Sequence, residues 1–501
     1  MMQRLKNIIF KDPYHWRFWL LIAFFVRLLV FIVELRTHKF PSNISGVWGI
    51  VDGDTNEYLA PIDNLIKNGS YDPDFRMPGY GIFYLPLALL FSKAAAYNVL
   101  IIFQLLCSVV STYLLALTAF QLFNKRFFFY ATFFLYVTTI YSFYADIFLL
   151  TESLTTSFLI ISVFGFVTYF KNYNKWWLVI AGAFLTGVIF LRPVFAIFLL
   201  LFLVILFVNL IKQKRGVALP VLFFISFFAL CDGSWMFRNY LHYKRIIPLT
   251  KELYFIKNGE TYINPLMDFC CTFGGSVEWW DPRTSAYWFL HKDTIGFDIK
   301  DTVFVLTKDT VFNGKKIARN RGIPFPSDMY TTKFNLDSLL KLRLQLLKYK
   351  NEKSLPEGSR AKLLDSIDNE LNIYIKSMQD EKPLSFHIKT RWILFKEFLS
   401  KTSYEFPYIK YTFKAYHILV FLILALGAMG ILLMWGYAKR LSIQLIVAFI
   451  PLFSIIIHPL VFRLTVGRYF VPAFPFMLIC AIYVAYWLKE FFAKPGSRTL
   501  P

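Results

Sequence analysis

Apolar residues fall in runs of roughly 16 to 26 residues separated by short polar gaps, and a helical run of that length matches the hydrocarbon thickness of a bilayer. The pattern predicts ten spans, at about 18–34, 97–122, 128–146, 153–170, 176–191, 194–211, 217–234, 414–436, 441–460 and 469–488. The first run follows basic residues, as in a signal peptide. It lacks a small-residue cleavage site and ends in Glu34-Leu35-Arg36, so it reads as an uncleaved span. Ile82 to Phe91 is too short to cross, and Pro86 interrupts it; an interfacial or re-entrant helix is expected there. In the long polar stretch 246–413, Leu336, Leu339, Leu340, Leu344 and Leu347 recur at helical spacing, which predicts a helix near 335–376.

The polar gaps orient the spans. Arg4, Lys6 and Lys11 precede the first span, and Lys125-Arg126 follow the second. Lys171 and Lys175 follow the fourth, and Lys212, Lys214 and Arg215 the sixth. Lys439-Arg440 follow the eighth, and Lys489, Lys494 and Arg498 the tenth. Every second gap is basic, which places those gaps and both termini in the cytoplasm of a cell-membrane protein. The intervening gaps are then extracytoplasmic. The expected organisation is an all-α membrane core, 1–245, with a first outer loop at 35–96. A helix-rich soluble domain follows at 246–413, on the outer side, and C-terminal spans at 414–501.

Composition sharpens this. The chain is 57% hydrophobic, 20% aromatic and 17% charged, more apolar and less charged than a soluble domain. A formal net charge of +22 would point to nucleic acid in a soluble protein. Here the cations sit in the gaps between spans, and no nucleic-acid partner is expected. Cys107, Cys231 and Cys480 lie in apolar runs, and the adjacent Cys270-Cys271 do not make a disulfide framework.

Charge at membrane depth or on the outer ends of spans needs a reason. The outer gaps and span ends gather Asp54, Asp146, Glu152, Arg192, Arg238, Arg463 and Arg468. Outer arginines run against the positive-inside trend. Guanidinium forks suit a lipid phosphate, because they bind its oxygens bidentately and stay charged when partly buried. Pairing with nearby acids is the alternative for each. Asp54, in Gly53-Asp54-Thr55-Asn56-Glu57-Tyr58, has the chemistry of a general base for an attacking hydroxyl or amine. It has equally the place of a helix cap, with Glu57 three residues on. Glu152 fits a helix N-terminus, Arg192-Pro193 a turn, and Trp235 to Tyr240 an interfacial aromatic belt.

Taken in order, these segments resemble polyprenyl-phosphate-sugar-dependent glycosyltransferases of the GT-C fold. The likeness is to the bacterial protein-mannosyltransferase-like and aminoarabinose lipid A transferase group. The matching pieces are Gly53-Asp54-x-x-x-Tyr58, Asn68-Gly69-x-Tyr71 and Arg76-x-Pro78-Gly79-Tyr80. Leu150-Thr151-Glu152-Ser153-Leu154, Gly187-x-x-x-Leu191-Arg192-Pro193, Trp235-x-x-Arg238-Asn239-Tyr240 and Gly467-Arg468-Tyr469-x-x-Pro472-x-x-Pro475 follow. The likeness covers about 45–245 and 460–480 and leaves 250–412 unmatched. It implies a polyprenyl-phosphate-linked sugar donor, an extracytoplasmic acceptor and inversion at the sugar carbon. It implies Asp54 as the catalytic residue, with Asp52 a nearby competitor. Arg76, Arg192, Arg238, Arg463 and Arg468 would hold the donor phosphate. Tyr58, Tyr80, Asp146, Glu152, Asn239 and Tyr469 would position substrate. Val466-Gly467 stands where relatives often carry Glu before Arg-Tyr. No cofactor is implied, and a divalent metal ion is left open. A transporter or flippase of lipid-linked sugar is the rival reading. It predicts charges at mid-membrane depth, of which Arg27 is the main instance.

Overall fold

The structure is a computed structural model. It describes residues 13–37, 44–51, 53–72, 76–139, 145–244, 246–249, 330–335, 357–400, 443–461 and 467–493. Short strands between 254 and 324 and isolated positions near 269, 337–345 and 425–428 are also described. The chain divides into two compact units. The first comprises 1–252, 418–453 and 468–501, and the second 253–417 and 454–467.

The first unit is helical. Its helices are α1 (Trp16–Thr37), α2 (Gly53–Asn68), α3 (Gly81–Leu90), α4 (Lys93–Phe123) and α5 (Arg126–Val137). They continue with α6 (Thr151–Asn172), α7 (Trp176–Leu191), α8 (Ile197–Lys212) and α9 (Ala218–Tyr243). Among the described residues, six helical segments are long and apolar enough to cross a membrane: Trp16–Val33, Lys93–Phe123, Thr151–Asn172, Pro193–Lys212, Ala218–Tyr243 and Arg468–Glu490. The protein is therefore a multi-pass helical membrane protein. Three further predicted spans appear as shorter apolar helices: Arg126–Val137, Trp176–Leu191 and Leu445–Ile456. The span predicted at 414–436 lies almost wholly outside the described residues. Only 425, 427 and 428 are seen there, in helix, where a side chain on Gly427 would meet the Cys480 carbonyl.

Outward-facing Leu21, Phe25 and Leu29 leave α1 with a lipid-type surface, while its other face enters the core. That core joins Trp19 and Ala23 to Val109, Tyr113, Ala116 and Leu117 of α4 and to Phe129, Phe133 and Val137 of α5. α6 is buried on nearly every side, as befits a central helix. Its contacts are close because glycines permit them: a Cβ on Gly165 would lie 3.0 Å from the Trp177 carbonyl. α7 stops at Arg192 because Pro193 follows; the residue before proline is pushed out of the helical region, and Arg192 is extended (φ −147°, ψ 97°).

The loop before α2 is tied to the segment before α6. Ile50 pairs in parallel with Phe148, through Ile50 N–H to the Ile147 carbonyl (2.9 Å) and Leu149 N–H to the Ile50 carbonyl (3.0 Å). Asn98 of α4 pins the same loop. It accepts from the Trp48 N–H (2.8 Å) and donates to the Gly46 carbonyl (2.8 Å). The predicted apolar stretch 82–91 is the helix α3, with Pro86 inside it.

In the second unit, the described helices are α10 (Glu357–Glu381) and α11 (Thr390–Ser400), joined through a π turn at Ser385–Lys389. α10 covers the C-terminal part of the stretch predicted at 335–376, while Leu336, Leu339, Leu340, Leu344 and Leu347, on which that prediction rests, lie outside the described residues. Among the described residues of the second unit are seven short antiparallel strands, β1 (Tyr254–Lys257), β2 (Glu260–Ile263), β3 (Phe297–Lys300), β4 (Val303–Leu306), β5 (Thr310–Phe312), β6 (Lys315–Ile317) and β7 (Gly322–Pro324), which the expectation of a helix-rich domain does not include. Phe334 packs edge-on against Phe269 (5.2 Å) and at a tilt against Tyr374 of α10 (5.1 Å). α12 (Leu445–Ile456) and α13 (Phe474–Ala493) complete the described helices.

Candidate active site

Four separated segments meet at one end of the first unit's helices. Asp54 lies in the first turn of α2, and Glu152 in the first turn of α6; helix N-termini favour both carboxylates. Arg192 is the extended residue that ends α7. Arg468 opens the apolar segment that leads into α13.

Their side chains form one alternating chain of charge. Arg192 pairs with Glu152, and its Nε donates to the Thr151 hydroxyl (2.9 Å). Arg468 pairs with Asp54 through Nη2, while its Nε stands 3.6 Å from the same Glu152 carboxylate. The Tyr469 ring carries both cations, with the Arg192 guanidinium 4.8 Å and the Arg468 guanidinium 5.8 Å from its centroid. Exposure grades along this chain. The Glu152 and Arg192 side chains are 5% and 7% exposed, and those of Arg468 and Asp54 are 23% and 31% exposed. Glu152 holds two guanidiniums together at a buried position, where they would otherwise repel each other strongly.

A second pair extends the site along α2. Arg76 donates from Nε (3.1 Å) and Nη2 (2.6 Å) to one Glu57 oxygen and lies 5.0 Å from the Tyr58 ring centroid. Asp54, Glu57 and Tyr58 share a helix face by their i, i+3, i+4 spacing. Tyr58 meets Tyr80 edge-on (6.0 Å). Burial pushes the hydroxyls of both tyrosines up from the ordinary phenol value, so both remain protonated donors.

Tyr80 faces inward. It is fully buried, and its hydroxyl donates to Gln104 Oε1 (2.7 Å). The Gln104 amide in turn donates to the carbonyls of Asp146 (3.0 Å) and Phe148 (2.8 Å). Tyr80 thus fixes the segment that delivers Glu152. The preceding Gly79 permits this: a Cβ there would lie 2.4 Å from the Phe190 carbonyl group.

The Asp146 side chain turns away from the Asp54–Glu152 cluster. It accepts from the Ser153 hydroxyl (2.6 Å) and faces Arg27 Nη1 at 3.7 Å. Arg27, fully buried in α1, also donates to the Tyr136 carbonyl (3.3 Å) and lies 5.4 Å from that tyrosine's ring centroid. The mid-span cation therefore has a partner.

Arg238 and Asn239 form a separate group. Arg238 donates to Asn239 Oδ1 (3.0 Å) and the Tyr71 carbonyl (3.4 Å), and lies 5.0 Å from the Trp235 ring centroid. Asn239 donates to the Ile247 carbonyl (3.0 Å), closing the chain after α9. This group touches the Arg76 region through Tyr71, whose hydroxyl donates to the Arg76 carbonyl (3.1 Å). Arg463 and Asp52 lie outside the described residues.

Two features escaped sequence reasoning. Glu57 is the partner of Arg76, whereas its spacing from Asp54 in the sequence offers only a helix-capping role. Arg27 and Asp146 are far apart in sequence, and nothing local couples them. Among the described residues no group of three or more His, Cys, Asp or Glu side chains is placed to hold a metal ion. The arrangement offers paired guanidiniums, a partly exposed carboxylate and aromatic faces, a set suited to an anionic group beside a proton acceptor. No protein-family model matches the chain, and a search of curated proteins finds no similar sequence.

Proposed function

We propose that this protein is a membrane glycosyltransferase. It moves a sugar from a polyprenyl-phosphate carrier to an extracytoplasmic acceptor (a glycan, lipid or protein) with inversion at the sugar carbon. The observation that carries this reading is the convergence of Asp54, Glu152, Arg192 and Arg468 from four segments into one partly exposed cluster.

The chemistry follows from that set. The donor's leaving group is a phosphate, which needs neutralising rather than protonating. Arg468, with Arg192 behind it, supplies that charge. Asp54 accepts the proton of the acceptor hydroxyl or amine as its heteroatom bonds to the sugar carbon. The carbon–oxygen bond to phosphate breaks, and the polyprenyl phosphate leaves with that electron pair. One carboxylate suffices, unlike the two that glycoside hydrolysis needs.

The orientation has its own support. α6 has Glu152 in its first turn and Lys171 in its last, across 22 residues or about 33 Å of helix. The cluster and a basic gap thus lie at opposite ends of one span, as the positive-inside rule requires for an extracytoplasmic site.

The test is transfer by the purified protein in detergent, with polyprenyl-phosphate sugars and nucleotide sugars offered in parallel. Transfer from the lipid donor alone is expected. Transfer from soluble nucleotide sugars without a carrier overturns the donor assignment. Counterflow of labelled lipid-linked sugar without covalent transfer favours the transporter instead.

A further inference from the structure

Arg468 has two carboxylate neighbours of different kinds. Glu152 is buried, and it is tied to Arg192, which is itself fixed by Thr151 and by the Tyr469 ring. Asp54 is the most exposed carboxylate of the chain of pairs and stands at the N-terminus of a helix on the other side of Arg468. An incoming anion therefore meets the Arg468–Asp54 pair first, and the Arg468–Glu152 contact lies behind it.

Charge decides what such an anion replaces. Two guanidiniums, Arg192 and Arg468, stand against two carboxylates, Glu152 and Asp54. A sugar linked through a phosphodiester carries a single negative charge. If it takes the place of Asp54 on Arg468, the balance is unchanged. If it is added without displacing Asp54, the cluster gains an unmatched negative charge at a partly desolvated position, which is costly.

We propose that the Arg468–Asp54 pair is an exchangeable latch: donor phosphate takes Arg468 and releases the Asp54 carboxylate to the acceptor. Resting on the transferase reading, it adds an order of events. Asp54 is held by Arg468 until donor binds, so the proton acceptor is presented only to a loaded site. No bond is made in this step; one ion pair is exchanged for another.

The latch makes a prediction with an unusual sign. In the absence of Asp54, phosphate no longer competes for Arg468. Binding of farnesyl methyl phosphate, a phosphodiester with the donor's single charge, to the full-length protein in detergent is the measurement, by intrinsic tryptophan fluorescence. Asp54→Asn is expected to bind about threefold more tightly than wild type, the scale of a partly exposed ion pair. On an Arg468→Gln background the same change is expected to bring no gain. In the wild type, carbodiimide labelling of Asp54, read by peptide mass spectrometry, is expected to rise when farnesyl methyl phosphate is added.

Equal or weaker binding by a folded Asp54→Asn variant overturns the latch while leaving the transferase reading intact. Unchanged labelling of Asp54 on saturation does the same and requires no variant. A wild-type protein that binds no farnesyl methyl phosphate overturns both.

Discussion

Replacing Gly79 by alanine tests how the fold delivers the candidate site. The added Cβ would stand 2.4 Å from the Phe190 carbonyl carbon and oxygen and 2.7 Å from the Leu191 nitrogen. Ordinary contact begins at 3.4 Å, so the backbones must part by 3.4 − 2.4 = 1.0 Å. The obstructing atoms are backbone rather than a flexible side-chain end, and they directly precede Arg192. Overpacking of this kind costs about 1–3 kcal/mol of stability. Misplacement by about 1 Å near a reacting centre costs about 100-fold in rate. Two other glycines separate the effects. Gly182→Ala meets the Phe224 carbonyl at 2.0 Å, away from the cluster, and Gly216→Ala meets nothing within 4 Å. Thermal unfolding in detergent, with transfer measured at matched folded fraction, is the assay. Gly79→Ala is expected to lose both stability and turnover, Gly182→Ala stability only, and Gly216→Ala neither. A Gly79→Ala protein with wild-type melting and turnover refutes the reasoning.

Tyr80→Phe removes the donor to Gln104 Oε1 and leaves a buried acceptor unsatisfied. A loss of about 1–3 kcal/mol is expected on thermal unfolding, with the KM for donor unchanged; a raised KM with unchanged stability would return Tyr80 to the substrate. Arg27→Met strands the Asp146 carboxylate in a buried position and is expected to destabilise by about 3–5 kcal/mol. The double variant Arg27→Met/Asp146→Leu is expected to recover most of that loss in the same melting experiment. A double variant as unstable as the sum of the two singles contradicts direct pairing.

Much of this architecture was legible in the apolar runs because hydrocarbon thickness fixes their length. The long helices Lys93–Phe123 and Thr151–Asn172 lie where hydropathy places them. Hydropathy predicts one span at 128–146, yet its helix ends at Val137, and Asp146 belongs to the segment stitched to Ile50. A hydropathy window cannot see that stitch, since it is made by backbone groups. The short strands between 254 and 324 do leave a local signal: Asn258-Gly259 separates Tyr254–Lys257 from Glu260–Ile263, and Asn313-Gly314 separates Thr310–Phe312 from Lys315–Ile317, the two-residue hairpin signature, which the emphasis on helical spacing passes over. At the site, Asp54, Glu152, Arg192 and Arg468 were each ambiguous between cap, turn and chemistry. The structure shows both at once for two of them: the acids sit in first turns of helices and also bind arginines. Their convergence depends on Gly79, Gln104 and the Ile50–Phe148 bridge, none of which is charged.

Mass spectrometry of cell-envelope glycans tests the central claim most directly. The comparison is between cells with wild-type protein, with Asp54→Asn, and without the protein. The account predicts one sugar decoration present with wild type and lost both without the protein and with a stably expressed Asp54→Asn. Identical envelopes in all three, or full decoration with Asp54→Asn, contradicts it.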